Sequence, residues 1–535
     1  MARATSTPGL PLALQALLAV AAGVAQAASL AWPWSGEPQW WLQIASMAVL
    51  AWLVRPHATV SVSWQRGAVI GGLFATAWLT GTFWWLFISM HTYGGLAAPL
   101  AVAAVLGLAA FLASYYAAML GLFCRLALTS KSLTAIIFGA FWLVAELARG
   151  TLWTGFPWGA GGYAHVDGPL AALARYVGVY GIGAMAAVLA MYGVQLRGAD
   201  LSRWRTWVLV LLLVSAGLSP QLLCACSSTV RSKVPPMTLE LLQGNIPQDE
   251  KFQSGSGVPL ALKWYAEALR DAKADLVVAP ETAIPLLPQQ LIPGYLEGIQ
   301  QRYAQGPQAA LLGIPLGDEA QGYTNSVLGM SPATGATPYR YDKHHLVPFG
   351  EFIPPFFRWF TAMMNIPLGD FNRGAVGQPS FAWAGQRIAP NICYEDLFGE
   401  ELGARFIDPA QAPTVFVNFS NIGWFGDTVA IDQHLQISRM RALEFERPMV
   451  RATNTGATAI IDHRGVVTHQ LARTTRGVLK GEVQGRGLDA QSGWAITPYA
   501  WWVSRWGLWP LWMVGALMLA LGVWARNKDM GVRRH

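Results

Sequence analysis

The sequence predicts a polytopic α-helical membrane domain of about eight spans joined to one large α/β domain. Hydrophobic residues make up 53% of the 535 residues and charged residues only 13%, against roughly 25% charged in soluble domains. Residues 238–490 contain 20 basic and 25 acidic residues, whereas the rest of the chain contains 17 basic and 5 acidic residues. The most apolar part of the chain is therefore also the most basic, which is typical of membrane helices flanked by orienting Lys and Arg residues.

The same composition excludes several other classes of protein. Abundant apolar residues exclude a disordered chain, and the 55 glycines show no three-residue period of the collagen kind. The formal net charge of +7 does not indicate a nucleic-acid partner, because the basic excess is confined to the apolar part of the chain.

Runs of low charge mark the predicted spans. No charged residue occurs in the 58 positions between Arg66 and Arg125, which is room for two helices of about 20 residues, broken near Gly94-Gly95. The other predicted spans lie in the runs 4–36, 38–54, 132–145, 176–196, 206–230 and 506–525. Seven spans thus precede the α/β domain and one follows it.

The loops then predict the orientation. With a cytoplasmic N-terminus, 12 basic residues fall on the cytoplasmic side, which the positive-inside rule favours. Both termini are then cytoplasmic and the α/β domain lies outside. Residues 1–28, with Ala25-Gln26-Ala27, also resemble a cleavable signal peptide; we favour an uncleaved anchor, and either alternative leaves the α/β domain on the same side.

Three domains follow from these patterns: a transmembrane domain at 1–230, a catalytic domain at 231–490, and a C-terminal helix with its tail at 491–535. In the second, strands are predicted from short apolar runs and helices from amphipathic ones. The predicted strands are 239–242, 274–279, 309–314, 387–392 and 414–418, the predicted helices are 258–273 and 428–446, and 457–462 begins a late hairpin. Alternating strands and helices indicate a largely covered sheet.

Three chemically capable side chains follow predicted strands. Glu281 comes directly after LVVAP, Lys343 lies in RYDKHHLVPFGEFIP, and Cys393 lies at a strand-to-helix turn in APNICYEDLF. A cysteine needs a base to become a nucleophile, and a lysine can stabilise an oxyanion, so the set fits acyl transfer through a thioester. Taken singly, Glu281 could cap a helix, Lys343 could be a surface charge and Cys393 could be a packing residue.

Several ordered motifs resemble a known family. QGNIPQ (243–248), APETAIP (279–285), KHHLVPFGEFIP (343–354) and NICYEDLF (391–398) are similar to segments of the nitrilase superfamily, and specifically of its membrane-embedded branch, the bacterial apolipoprotein N-acyltransferases. SNIGWFGD (420–427), the run 434–456 and ELARGTLWTGFPWG (146–159) fit the same family. The resemblance covers nearly the whole chain and implies an α-β-β-α sandwich beside the membrane helices.

The resemblance implies a role for each matching residue. Glu281 would be the general base, Lys343 the oxyanion-stabilising cation and Cys393 the nucleophile. Glu351 matches a second glutamate that supports this triad. Residues Tyr394 and Glu395 match functionally important positions beside the cysteine, and the N–H group of Tyr394 would be a second oxyanion donor.

Lipid contacts are expected at aromatic residues. Phe252 and Trp424 lie in matching motifs, although Phe252 replaces a more usual Trp and Ile422 replaces a more usual Asp. The aromatic, Met-rich segment 352–371, with Phe357 and Trp359, is expected to be an arm that dips into the bilayer. Its alternative is a core helix or a packing surface against the spans.

The implied reaction has two steps and needs no cofactor. Cys393 would take the sn-1 acyl chain of a membrane phospholipid as a thioester, and the α-amino group of a diacylated apolipoprotein would then receive it. The resemblance places a monomer in the bacterial inner membrane with its catalytic domain on the periplasmic side. No metal is expected, because His344-His345 have no further ligands at suitable spacing.

Two other functions stay open on the residues alone. A membrane-anchored amidase would keep the Glu-Lys-Cys set but hydrolyse small exported substrates. A transporter or receptor would only bind a ligand, and would not need Cys393. Glu146 and Arg149, at the end of a predicted span, orient a lipid headgroup or form a structural pair.

Overall fold

In the part of the N-terminal membrane domain that the structure describes, six α-helices have 15 or more residues. The structure, a computed structural model, describes residues 10–56, 62–126, 128, 130–197, 200, 234–355, 357–361, 363, 370–487 and 496–532. The helices are α1 (Leu12–Leu30), α2 (Trp40–Val54), α3 (Trp64–Phe83), α4 (Ala98–Leu126), α5 (Lys131–Thr151) and α6 (Ala174–Val194). Their boundaries follow the low-charge runs of the sequence.

Two six-stranded sheets form the centre of the α/β domain. The strands are β1 (Met237–Gln243), β2 (Leu276–Ala279), β3 (Ala309–Asp318), β4 (Gly322–Met330), β5 (Tyr339–Asp342), β6 (Phe381–Trp383), β7 (Gln386–Ile392), β8 (Val415–Ser420), β9 (Met449–Thr453), β10 (Ala459–Ile461), β11 (Val467–Gln470) and β12 (Gly477–Val483). One sheet has the order β12-β1-β2-β3-β4-β5 and the other β11-β10-β9-β8-β7-β6. In each, three neighbouring strands are parallel: β1, β2 and β3, and β7, β8 and β9.

The two sheets pack face to face, with helices on their outer faces. Side chains such as Leu241, Val278 and Val417 form the core between the sheets. Helices α7 (Gly257–Asp271) and α8 (Tyr295–Gln305) cover the first sheet through Tyr265 and Tyr303, and α9 (Val429–Phe445) belongs to the core beneath the second. This is the predicted α-β-β-α sandwich.

Two further helices, α10 (Pro498–Trp506) and α11 (Trp509–Val532), complete the described chain. Within the described ranges, five helices are long and apolar enough to cross a membrane, or six if α3 and the segment Leu86–Tyr93, bent by 60°, count as one span. Helix α2 is shorter. The predicted span 206–230 lies outside the described residues, so the predicted total of about eight is not reached here.

Helix α9 joins the catalytic domain to the membrane helices. Gln433 accepts hydrogen bonds from the indole N–H groups of Trp85 (3.1 Å) and Trp158 (2.8 Å). At the other end of α9, Glu444 accepts the N–H group of Val179 at 2.7 Å. That N–H group follows Gly178, whose φ of 64° interrupts α6, so a carboxylate caps the restarted helix.

Candidate active site

The structure brings Glu281, Lys343 and Cys393 together where strands β2, β5 and β7 end. Lys343 Nζ lies 3.3 Å from Glu281 Oε1 and is 1% exposed. Cys393 lies close enough to both for their charges to act on its thiol. The strands that precede these residues end at the same edge of the two facing sheets. Glu281 and Lys343, 62 positions apart, and Lys343 and Cys393, 50 positions apart, can therefore meet.

Glu281 is buried and held on both oxygens. Asn325 Nδ2 donates to Oε1 at 2.8 Å, and the N–H group of Asn421 donates to Oε2 at 2.8 Å. Burial raises the pKa of Glu281, but the charge of Lys343 and these hydrogen bonds outweigh it and hold the pKa below its usual value. The carboxylate is therefore ionised at neutral pH and can accept a proton.

Glu351 completes a buried ion cluster around the lysine. Lys343 Nζ donates to Glu351 Oε1 at 2.9 Å, and Asn325 Nδ2 donates to the same oxygen at 2.8 Å. Glu351 Oε2 accepts the N–H group of Val347 at 2.8 Å. Burial lowers the pKa of Lys343, but Glu351 and Glu281 outweigh it and raise the pKa well above the usual value. The lysine is thus a permanent cation fixed between two carboxylates.

Cys393 begins a tight turn directly after β7. Its φ of 52° is unusual for a residue other than glycine and costs on the order of 1–3 kcal/mol. Ser420 Oγ lies 3.5 Å from the sulfur. Burial, followed by the charge of Glu281, raises the pKa of Cys393 to about 12. The thiol is therefore protonated at neutral pH and needs a base to become a nucleophile.

The residue after the cysteine points toward the membrane domain. Tyr394 is buried, and its ring lies 5.2 Å from that of Phe398 and 5.6 Å from that of His345. Its hydroxyl group donates to the carbonyl oxygen of Gly155 at 3.3 Å. The residue after Cys393 therefore contacts the loop that follows α5.

Glu395 ties the lysine segment to the cysteine turn. One of its oxygens accepts the N–H groups of His344 (2.6 Å) and His345 (3.2 Å). The other accepts the N–H group of Ile392 (2.6 Å) and the hydroxyl group of Tyr341 (2.8 Å). Four donors on a carboxylate that is 2% exposed indicate that it organises the backbone on either side of the catalytic centre.

The comparisons with known proteins show the family to which the chain belongs. Residues 12–192 match the family model described as apolipoprotein N-acyltransferase N-terminal domain, and residues 240–490 match carbon-nitrogen hydrolase. An apolipoprotein N-acyltransferase of Verminephrobacter eiseniae is 75% identical over 503 residues, which cover 93% of this chain and 94% of that protein. The chain belongs to the apolipoprotein N-acyltransferase family.

Another family member, from Ralstonia nicotianae, is 48% identical and covers 83% of this chain and 84% of its own length. A solved structure, an amidase of Nesterenkonia from the nitrilase superfamily, shares 16% identity with a TM-score of 0.36 and covers 52% of this chain and 100% of that chain. The resemblance predicted from the motifs is confirmed.

In this member of the N-acyltransferase family, a buried cluster that the sequence did not reveal holds the backbone of Cys393. His434 Nε2 lies 3.3 Å from the carbonyl oxygen of Cys393 and 2.9 Å from Asp396 Oδ1. Arg451 Nη2 lies 3.1 Å from His434 Nδ1. Because a guanidinium can only donate, Nδ1 is the acceptor and Nε2 carries the proton.

Asp396 is the anion of this cluster and is fully buried. It accepts from Arg451 Nη1 at 3.2 Å and from the hydroxyl group of Ser438. Burial raises the pKa of Asp396, but His434 and Arg451 outweigh it and hold the pKa below its usual value. A faint sequence signal existed, since His434 and Ser438 are four residues apart and share one face of α9.

Three amide and ammonium groups beside Glu281 also had no assigned role in the sequence. Asn325 bridges Glu281 and Glu351. Asn421 donates its side-chain N–H to Gln248 Oε1 at 2.9 Å. Lys251 Nζ donates to the carbonyl oxygen of Glu281 at 3.1 Å.

The four aromatic residues expected to contact lipid differ in their exposure and contacts. Trp359 is 63% exposed and Phe357 is 42% exposed, and both belong to the predicted arm, which the structure describes only in part. The ring of Trp424 lies 5.9 Å from that of Tyr93, and Phe252 is half-buried next to Lys251. Their lipid contacts stay a prediction.

Glu146 and Arg149 are each bonded to the loop that follows α5, and a lipid-headgroup role stays a prediction. Both are fully buried. Glu146 accepts the N–H group of Gly161 at 2.8 Å, and Arg149 donates to the carbonyl oxygens of Phe156 and Trp158, each at 2.8 Å. The two side chains hold the loop after α5, which in turn contacts Tyr394.

The histidine pair after Lys343 has protein partners. His345 Nδ1 lies 2.8 Å from Glu401 Oε1, and its ring stacks on Phe398 at 3.5 Å. His344 Nδ1 lies 2.7 Å from the carbonyl oxygen of Gly374. Among the residues that the structure describes, no group of three or more His, Cys, Asp or Glu side chains is placed to hold a metal ion.

Proposed function

We propose that the chain transfers the sn-1 acyl chain of a membrane phospholipid to the N-terminal α-amino group of a diacylated apolipoprotein. Relatives named apolipoprotein N-acyltransferase match this chain over 94% and 84% of their own length. The observation that carries the mechanism is the buried pair of Lys343 and Glu281, at 3.3 Å, beside a protonated cysteine in a chain rich in apolar helices.

In the first step, Glu281 accepts the proton of the Cys393 thiol while the sulfur attacks the ester carbonyl carbon. The oxyanion is stabilised by Lys343 and by the N–H group of Tyr394. The ester C–O bond breaks, and the lysophospholipid oxygen leaves with the proton from Glu281. A thioester on Cys393 and an ionised Glu281 result.

In the second step, the neutral amine of the apolipoprotein attacks the thioester carbonyl. Glu281 takes the proton that the amine loses, the C–S bond breaks, and the proton returns to the sulfur. An amide bond has formed and the enzyme is restored, so the kinetics are ping-pong. Neither step requires a cofactor or a metal.

We also propose the topology that the basic residues predict. Eight spans place both termini in the cytoplasm and the catalytic domain on the periplasmic side of the inner membrane. The corresponding domains are 1–230, 231–490 and 491–535. The aromatic residues Phe252, Phe357, Trp359 and Trp424 would contact the acyl chains of a monomeric enzyme whose substrates are both held in the bilayer.

Intact-protein mass spectrometry after incubation with phospholipid alone tests the first step. We expect a hydroxylamine-sensitive acyl adduct on Cys393, which is absent in Cys393→Ala and present in Cys124→Ala, a matched change of a buried membrane cysteine. A correctly folded protein without the adduct would contradict the thioester mechanism.

A diacylated lipopeptide then separates the acyltransferase from the amidase that the sequence also allowed. The acyltransferase gives a triacylated peptide, whereas release of free fatty acid in its place would favour hydrolysis. The topology is tested with a tag near residue 255, which we expect to be accessible only from the periplasmic side.

A further inference from the structure

A second lysine lies in the catalytic centre. Lys251 follows β1 in the chain and is 2% exposed, yet its Nζ atom reaches the carbonyl oxygen of Glu281 at 3.1 Å. Its charge acts on both the Glu281 carboxylate and the Cys393 sulfur. A lysine buried to this degree is rare unless it is paired; here it donates to the carbonyl oxygen of the proposed general base and is attracted by the charge of that residue's carboxylate.

The charges of the centre balance only if Lys251 is counted. Glu281 and Glu351 are anions, and Lys343 is one cation. Burial lowers the pKa of Lys251 to about 8, against the attraction of Glu281, so the ammonium form predominates at neutral pH. The net charge of these four groups and the neutral Cys393 thiol is then zero, and the sum over all five stays zero when the thiol proton moves to Glu281.

We propose that Lys251 is a positioning residue: its ammonium group neutralises the buried catalytic centre and fixes the main chain of Glu281, so that Glu281 stays ionised as a base. The proposal rests on the acyl-transfer function above. Without this cation the centre would carry one net negative charge in a low-dielectric site, and uptake of a proton would relieve it.

Glu281 is the group that would take up that proton. The titratable groups that act on it are Lys343, Lys251 and Cys393, and Glu351 shares Lys343 with it. Glu351 keeps the shorter contact to Lys343, 2.9 Å against 3.3 Å. When Lys251 is removed, Glu281 is therefore the carboxylate that becomes protonated. A protonated Glu281 cannot accept the proton of the thiol.

Alkylation of Cys393 by iodoacetamide tests the proposal without any lipid substrate. The full-length protein in detergent is treated between pH 4 and pH 8, and the modified Cys393 peptide is quantified by mass spectrometry. We expect the midpoint of the acidic limb to move up by about one pH unit or more in Lys251→Met. Lys251→Arg, which keeps the charge, should retain the wild-type midpoint.

Lys251→Gln is a second variant that controls for a folding defect. It removes the charge but keeps an N–H donor that can serve the Glu281 carbonyl group. It should shift the midpoint as Lys251→Met does. The exposed Lys263→Met is the matched control and should not shift it. Unchanged midpoints in folded Lys251→Met or Lys251→Gln, or an equal shift in Lys251→Arg, would overturn the proposal.

A further incubation with phospholipid distinguishes a failure of this proposal from a failure of the proposed acyl transfer on which it rests. Wild-type protein that is alkylated normally at Cys393 but never acquires an acyl group would contradict the acyl transfer. The alkylation profiles of the Lys251 variants would still decide whether this lysine keeps Glu281 ionised.

Discussion

The hydroxyl group of Tyr394 donates a hydrogen bond to the carbonyl oxygen of Gly155 across 3.3 Å. Tyr394 is adjacent to the proposed nucleophile, and Gly155 belongs to the loop that Glu146 and Arg149 hold at the end of α5. A single contact thus connects the catalytic turn to charged groups inside the membrane domain.

Replacement of Tyr394 by Phe should be mild. The variant loses one hydrogen bond, worth about 1 kcal/mol, but keeps the ring that contacts both His345 and Phe398. Tyr394→Ala removes the ring as well and should cost about 3–5 kcal/mol. Thermal unfolding in detergent measures both. Loss of Cys393 acylation in a stable Tyr394→Phe would show instead that the hydroxyl group takes part in the reaction.

Glu281→Gln should slow acylation of Cys393 by about 10²–10⁴-fold. The pKa of Glu281 lies below its usual value, so the wild-type base works at neutral pH and fails only as the pH falls through that pKa. Without it, the thiol, whose pKa burial still raises, ionises mainly in alkali. Alkylation of the variant should therefore rise between pH 7 and pH 9.

The control for that experiment is the exposed Glu319→Gln, which should behave as the wild type. An equal rate of Cys393 alkylation in Glu281→Gln and wild-type protein at pH 7 would argue that another group deprotonates the cysteine.

Glu395→Gln should act on the fold and not on the chemical step alone. The glutamine has only one acceptor oxygen for the four donors that Glu395 receives, and an unpaired buried donor costs about 1–3 kcal/mol. We expect a clearly lower unfolding midpoint, with no change in the exposed Glu297→Gln. Full stability with lost activity would point to direct contact between Glu395 and the substrate.

Arg451→Met should be strongly destabilising, by about 3–5 kcal/mol, because it leaves the buried carboxylate of Asp396 without its cation. The exposed Arg464, paired with Asp462, offers the comparison: Arg464→Met should cost less than about 1 kcal/mol. Denaturation of both variants side by side measures the difference. Equal small losses would mean that His434 and Ser438 suffice to hold Asp396.

The sequence predicted what depends on local pattern. Strand-end positions and their flanking motifs identified Glu281, Lys343 and Cys393, and the structure places these three side chains together. Asn325 was missed because it lies inside β4, in GYTNSV, where no periodicity distinguishes it. Its bridging of two glutamates depends on which segments pack beside that strand, and only the tertiary fold supplies this information.

The span predicted at 132–145 shows a second kind of limit. The helix continues to Thr151, because Glu146 and Arg149 are bonded to the loop that folds back against it. A charged residue ends a span only when it faces lipid or water, and the sequence does not show which way these side chains face.

Two consecutive residues of α9 contact two different parts of the molecule. Gln433 binds the indoles of Trp85 and Trp158 in the membrane domain, and His434 binds the carbonyl group of Cys393. A fragment limited to residues 231–490 would lose the indole partners of Gln433 and the N–H partner that α6 gives Glu444, and we expect it to loosen the helix that holds the turn at Cys393. The membrane helices thus help to hold the turn at Cys393 in place. We expect that removing them would disturb the proposed active site and not only make the α/β domain soluble.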